Sequence, residues 1–252
     1  MKPVIGITCG MSYHTTKSNF VHLPNPFHQL SDAYVQAIEA AGGIPLILPS
    51  YQKAELVLGL IPKLDGILFS GGGDADPLLF GERAVPGVSP IQPRRDAVEL
   101  LLAKYVLTET NLPVLGICRG MQVVNLSMGG TVYVDLASEG KLEHRMSMYP
   151  RQMASHKVAL EPQSRLAQII GGAAIGVNSY HHQAVKDLAG DFIAAAYSEP
   201  DRVIEAMEKP GDRFVVMVQW HPEGMTDNSS QQAIFKNFIG EAEKYRLAQR
   251  SN

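Results

Sequence analysis

Seven short apolar runs punctuate the chain, at residues 4–8, 45–48, 66–69, 114–117, 157–160, 193–196 and 214–218. Several are apolar without interruption, the pattern of strands covered on both faces. Between the early runs the period lengthens to that of a helix. Ser31-Asp32 opens a segment that carries Tyr34, Ile38 and Ala41 and stops at Gly42-Gly43, with a capping residue at one end and a glycine stop at the other. Residues 94–107 put Val98, Leu101, Leu102 and Tyr105 on one face. Helices over 121–128 and about 231–245 follow, the last giving way to a polar tail at 246–252. This alternation predicts an α/β fold with a mostly parallel central sheet flanked by helices, in one domain over 1–252. On such sheets ligands bind beyond the carboxyl ends of the strands. Two polar, irregular stretches, 10–29 and 138–154, read as surface loops, with lids over the site as the alternative.

Composition changes this picture little. With 252 residues, 45% hydrophobic and 19% charged, the chain is ordinary for a globular protein. A net charge of -3 gives no field that would draw nucleic acid or an anionic membrane. No apolar run approaches the ~20 residues that span a bilayer. The N-terminal run is too short for a signal peptide and lacks a small-residue cleavage site. The two cysteines are Cys9 and Cys118. If one is a nucleophile, no pair is left for a structural disulfide, which favours a reducing, cytoplasmic setting.

The chemistry concentrates after three of the apolar runs. Gly116-Ile117-Cys118-Arg119-Gly120 joins a strand to a helix through a sharp corner. Flanking glycines permit the strained turn that exposes a nucleophile, and the helix N-terminus favours thiolate over thiol. In Gln219-Trp220-His221-Pro222-Glu223, Pro222 is expected to hold the segment extended, so that His221 and Glu223 point the same way. One imidazole nitrogen then bonds the carboxylate while the other faces Cys118, giving nucleophile, acid/base and orienting group. The Ser70-Gly71-Gly72-Gly73 loop lets backbone N–H groups approach a ligand. The N–H groups of Gly72 and Arg119 are natural donors to a tetrahedral oxyanion. Asp74 and Asp76 read as turn residues, since no further ligands stand at calcium-loop spacing. His181-His182 invites a zinc reading, but no Cys/His spacing of a zinc site is present and no metal is expected. Trp220 and Cys9 read as core.

With these pieces the chain resembles the class I glutamine amidotransferase superfamily, and within it the stand-alone γ-glutamyl hydrolases of the peptidase C26 type. The likeness runs nearly end to end. It takes in residues 2–7, the 70–77 loop, Arg95-Asp96 with Glu99, residues 113–122 with Asn125, Gly129-Gly130-Thr131, residues 178–185, Glu205-Ala206 and residues 218–223. Val134 is a small departure, standing where relatives often carry Gln. The resemblance implies a flavodoxin-like sheet, with Cys118 as nucleophile, His221 as acid/base and Glu223 as orienting acid. It implies oxyanion donors at Gly72 and Arg119, and places Gln122, His182 and Gln183 about the glutamyl group. Gly71, Gly73 and the His181–Gln183 segment are expected to meet the substrate's charged ends. The implied reaction is hydrolysis of a γ-glutamyl amide through a thioester, with no cofactor and a small-molecule substrate. γ-Glutamyl-γ-aminobutyrate or a related γ-glutamyl amine fits that reaction.

Two alternatives stand beside it. One is a glutaminase that supplies ammonia to a separate synthetase partner. The other is a non-catalytic binding module on the same fold, against which the intact Cys118, His221 and Glu223 argue. A homo-oligomer is compatible with the sequence. Arg119 is expected to form a structural ion pair, with Glu205 in the apolar strand 203–207 as the candidate partner; the alternative is that its charge favours the Cys118 thiolate.

Overall fold

A computed structural model of the chain describes residues 2–14 and 25–250. Strand β1 (Val4–Thr8) leads into the hairpin of β2 (Gly10–His14) and β3 (Asn25–Gln29), followed by helix α1 (Asp32–Ala41) and β4 (Ile44–Leu48). The middle of the chain supplies β5 (Gly66–Phe69), α2 (Pro93–Glu109), β6 (Val114–Ile117), α3 (Arg119–Ser127) and the short β7 (Val132–Tyr133). Then come β8 (His156–Leu160), α4 (Arg165–Ile170), β9 (Ala174–Val177), β10 (Ala184–Val185), β11 (Ile193–Ser198), β12 (Ile204–Glu208), β13 (Val215–Val218) and α5 (Ser229–Arg250).

The main sheet runs β4-β1-β5-β6-β13-β12-β11-β8-β9, with β10 joining β12 to β7. From β4 to β13 every pairing is parallel. Beyond β13 the sheet continues in antiparallel pairings. All four residues of β5, β6 and β13 are buried, because successive side chains feed two cores. Leu68, Leu115, Ile117, Val216 and Val218 pack with Ile38 of α1 and Ile234 and Phe238 of α5 on one face. Ile67, Phe69, Val114, Val215 and Met217 pack with Val98 and Leu102 of α2 and Val124 of α3 on the other. The carboxyl ends of β5, β6 and β13 therefore lie side by side, each followed by one of the three segments singled out in the sequence.

Several local expectations need revision. Helix α1 ends at Gly42 with φ 99, as a left-handed stop requires, but the Ser31 side chain makes no capping bond. On α2 the expected apolar face is displaced: Tyr105 is exposed, while Arg95, Asp96 and Glu99 are buried beside Val98 and Leu102. Helix α5 does not stop near residue 245. It runs on to Arg250, since Arg246-Leu247-Ala248-Gln249 contains only good helix formers. The 10–29 stretch is no simple loop, because its two ends pair as the β2–β3 hairpin; its residues 15–24 lie outside the described residues. Residues 138–154 form turns tied to the fold by a bridge between Arg145 and Tyr180. Among the described residues, no helix is long and apolar enough to cross a membrane.

Candidate active site

The corner after β6 is a strained one. Cys118 has φ 53 and ψ -111, an uncommon conformation for a residue with a Cβ. The reason lies on both sides of it. The Cys118 N–H still donates to Val218 O at 2.8 Å, continuing the β6–β13 ladder, yet α3 starts at the next residue. The fold closes this tightly only with glycine nearby. A Cβ on Gly120 would sit 2.0 Å from the Phe69 carbonyl oxygen, and one on Gly116 would sit 2.3 Å from Met217 Sδ. The nucleophile candidate is thereby pushed out over the sheet edge while remaining mostly buried, at 6% exposure.

His221 follows β13 and is held by its backbone. Asn178 accepts from the His221 N–H at 2.8 Å and donates to the His221 carbonyl at 2.9 Å. Pro222–Gly224 does not stay extended, as expected from the sequence, but folds into a single 3-10 turn closed by Gly224 N–H to His221 O. The Glu223 carboxylate is brought back under the ring by that turn rather than by strand alternation. The result is still the anticipated contact: His221 Nδ1 donates to Glu223 Oε1 at 2.6 Å. The Cys118 sulfur lies close enough to act on the charge of the ring. Burial by itself would lower the His221 pKa. The Glu223 carboxylate and the Cys118 sulfur outweigh it and hold the ring up at about 10. A Cβ on Gly71 would lie 2.9 Å from His221 Cε1 and 3.5 Å from Cys118 Cβ, so the glycine loop meets both residues.

That loop is held from below by buried charges. Arg119 donates to Asp96 at 2.7 Å, to Glu99 at 3.1 Å and to the Gly73 carbonyl at 2.9 Å. Arg95 donates to Glu99 at 2.7 Å, to Ser70 O at 3.1 Å and to Gly71 O at 2.9 Å. Two cations and two carboxylates, none more than 2% exposed, thus clamp the loop to α2 and α3. Arg95 and Arg119 hold the Glu99 carboxyl below its ordinary range even though burial opposes them. The expected Arg119–Glu205 pair does not form. Glu205 lies away in β12, surrounded by His144, His156 and His181, and α2 supplies the carboxylates nearest to Arg119.

The other anticipated contacts divide. Gly72 has φ 152, and a Cβ there would meet Arg95 Nη1 at 2.1 Å. Its N–H and that of Arg119 donate to no acceptor among the described residues. Gly71 differs: its N–H is taken by the Tyr34 hydroxyl at 2.9 Å. The Gly73 carbonyl is taken by Arg119. Gln122 donates to Gln183 O and to Gln219 Oε1, both at 3.1 Å. The Gln183 side chain donates to Val134 O, so the departure at Val134 touches the site through its backbone. His182 is fixed between Asp74 at 2.9 Å and Asp135 at 3.1 Å. Burial lowers its pKa, but these two carboxylates raise it further. Asp74 is more than a turn residue, for it anchors His182 and also accepts from Ser89 N–H at 2.7 Å. Cys9 is core, its thiol donating to Leu48 O at 3.3 Å.

Two concavities meet at Gly72. A recess of about 50 Å³ is lined by Cys118, Gln122, Arg145, Tyr180, His182 and Gln183 among others. A larger cleft of about 440 Å³ is bordered by Tyr34, Gln92, Arg95, Arg151, His221 and Glu223. The 138–154 stretch gives each concavity one arginine. Tyr34, Arg145 and Arg151 carry no sequence signature of their own; they are recruited by topology, and Tyr34 reads in sequence as helix core.

The family model for peptidase C26 matches residues 3–223. The chain is 33% identical to protein NtpR of Enterococcus hirae over 96% of its own length and 100% of that protein's. It is 34% identical to the gamma-glutamyl-gamma-aminobutyrate hydrolase of Escherichia coli (strain K12), covering 86% of this chain and 90% of that protein. Among solved structures, a Thermoplasma acidophilum protein proposed as a GMP synthase component superposes with a TM-score of 0.63 at 22% identity, over 99% of this chain and 98% of that one; at that identity the likeness concerns the fold alone. With the fold, the corner cysteine and a family match across nearly the whole length in agreement, the chain belongs to the peptidase C26 family of the class I glutamine amidotransferase superfamily.

Proposed function

We propose that the protein is a γ-glutamyl hydrolase that cleaves a γ-glutamyl amide through a thioester on Cys118. The observation that carries this reading is the meeting of Glu223, His221 and Cys118, in which a buried imidazole bonds a carboxylate at 2.6 Å and its charge is favoured by the nearby Cys118 sulfur. Sulfur attacks the δ-carbonyl carbon, and the oxyanion falls to the free N–H groups of Gly72 and Arg119. His221, protonated at the outset, gives its proton to the nitrogen as the C–N bond breaks. Acylation also removes the thiolate charge that helped to raise the His221 pKa. The ring then stays neutral and takes a proton from the water that attacks the thioester. Glutamate leaves and the imidazolium–thiolate pair returns.

The two concavities suit the two halves of such a substrate. The glutamyl group belongs in the recess beside Cys118, where Gln122, Gln183 and the cation Arg145 face it. The leaving amine belongs in the cleft on the His221 side, bordered by Arg95 and Arg151. The Arg151 guanidinium there favours an amine that itself carries a carboxylate, and γ-glutamyl-γ-aminobutyrate has that form. The test is to incubate the purified protein with glutamine and a panel of γ-glutamyl amides, and to trap the acyl-enzyme for mass spectrometry. A glutamyl adduct on Cys118 with preference for acidic amines is expected. Hydrolysis that survives Cys118→Ala would overturn the mechanism. Activity seen only with glutamine and a second chain would point to a synthetase-bound glutaminase.

A further inference from the structure

We propose that His144, His156, His181 and Glu205 form a structural binding site for one divalent transition-metal ion of the zinc type, separate from the cysteine relay. Glu205 is wholly buried in β12, and no Lys or Arg pairs with it among the described residues. Three imidazole nitrogens stand around its Oε1 instead: His144 Nδ1 at 3.2 Å, His156 Nε2 at 3.2 Å and His181 Nε2 at 3.4 Å.

The distances suit hydrogen bonds, but the directions do not. Only His156 makes one. His144 Nδ1, His181 Nε2 and Glu205 Oε2 are all buried without a hydrogen-bond partner. Three of the eight such atoms among the described residues fall in this one cluster, and each calls for an explanation. The opposite ring nitrogens explain the misfit. His181 Nδ1 bonds the Gln183 carbonyl at 2.9 Å, and a carbonyl only accepts, so the proton sits on Nδ1. His144 Nε2 meets the Asp201 carboxylate at 3.2 Å, which draws the proton to that side. In the neutral rings, the nitrogens facing Glu205 are then bare lone pairs directed toward a carboxylate. A cation placed among them turns that repulsion into coordination. A histidine that gives its other N–H to a carboxylate or a carbonyl is the usual arrangement of a metal ligand.

The spacing supports the same conclusion. Tetrahedral zinc with bonds of ~2.0–2.1 Å sets its ligand atoms about 3.3 Å apart, against the 3.2–3.4 Å found here between nitrogen and oxygen. One donor atom each from His144, His156 and Glu205 lies within 4.8 Å of the other two, so the gaps among these three close by at most about 1.5 Å on binding, while His181 stands outside that trio and must move in as the fourth ligand. Three imidazoles and one carboxylate suit zinc or its neighbours and not calcium or magnesium, which prefer oxygen. Four protein ligands leave no open position, so the role is structural. The ion would fasten the 138–154 stretch, through His144, to β8, β12 and the segment 178–183 that walls the Cys118 recess.

The test uses the full chain without a histidine tag and carrying Cys118→Ala, so that the relay binds no metal. The protein is stripped with a chelator and titrated with Co²⁺ and then Zn²⁺, following visible absorption and melting temperature. One equivalent is expected, with the absorption of four-coordinate cobalt, no thiolate charge-transfer band, and a raised melting temperature. His156→Ala and Glu205→Gln are each expected to weaken binding more than tenfold. His156 is the most exposed of the four ligands, so its variant carries the test should Glu205→Gln fail to fold. Absence of stoichiometric binding to folded protein overturns the site and leaves a cluster filled by protons or water. Unchanged affinity in His156→Ala, or a thiolate band pointing to Cys9, overturns it equally. None of these readouts depends on hydrolysis, so they leave the thioester chemistry to its own test.

Discussion

Glu223→Gln keeps the shape of the orienting residue and removes its charge. The structure indicates how much that should matter. His221 titrates at about 10 against an ordinary 6.5, and at ~1.4 kcal/mol per pKa unit the site favours the protonated ring by roughly 5 kcal/mol. Burial works against this figure, so the raising contributions of Glu223 and Cys118 together exceed it. A buried hydrogen bond to a charged group contributes about 2–3 kcal/mol. Removing the carboxylate should therefore bring the His221 pKa down by roughly two units, and slow acylation roughly 30- to 150-fold. Labelled-histidine NMR reads the first effect, and single-turnover release of amine from a γ-glutamyl amide reads the second. Should the ring still titrate near 10 in the variant, or acylation slow less than about threefold, the carboxylate does not orient and charge the imidazole as argued.

Three further outcomes follow from the same contacts. Arg119→Met leaves Asp96 and Glu99 buried with less positive charge, so urea unfolding should show a loss of about 3–5 kcal/mol; pairing with Asp96→Asn should be non-additive, and additivity would deny the ion pair. Gly72→Ala places a methyl 2.1 Å from Arg95 Nη1 and turns the N–H from the oxyanion position, so kcat should fall about 10²–10³-fold with circular dichroism unchanged; a loss under threefold would remove Gly72 from that role. Because the folded pKa of His221 is raised, its contribution to stability is fully present below the unfolded value near 6.5 and is lost as pH rises toward about 10. Unfolding free energies across that window should therefore decline in the wild type and more gently in His221→Asn.

What could be read from the sequence was local. β5, β6 and β13 are continuous apolar runs ending in unusual residues, and both the strands and the chemistry at their ends were legible for that reason. The pairing of charges was not. Periodicity assumes that charged residues face water, but Arg95, Asp96 and Glu99 are buried against Arg119, which shifts the inner face of α2 and leaves Tyr105 outside. Glu205 reads as buried and paired, but its neighbours are histidines and not Arg119. Its three histidines come from separate stretches, and no spacing rule joins residues 144, 156, 181 and 205. β7 and β10, at two residues each, are too short to carry a pattern of their own. Glu223 came to His221 as expected, but a tight turn rather than an extended segment delivers it.

The clamp of Arg95, Asp96, Glu99 and Arg119 reaches from the glycine loop to the helix that begins at the cysteine corner. The Gly72 and Arg119 N–H groups and the Cys118 sulfur are consequently bolted to a single chassis. Under the proposed chemistry, a change of substrate would fall on the opposite bank, where Arg145 and Arg151 stand on turns outside that clamp.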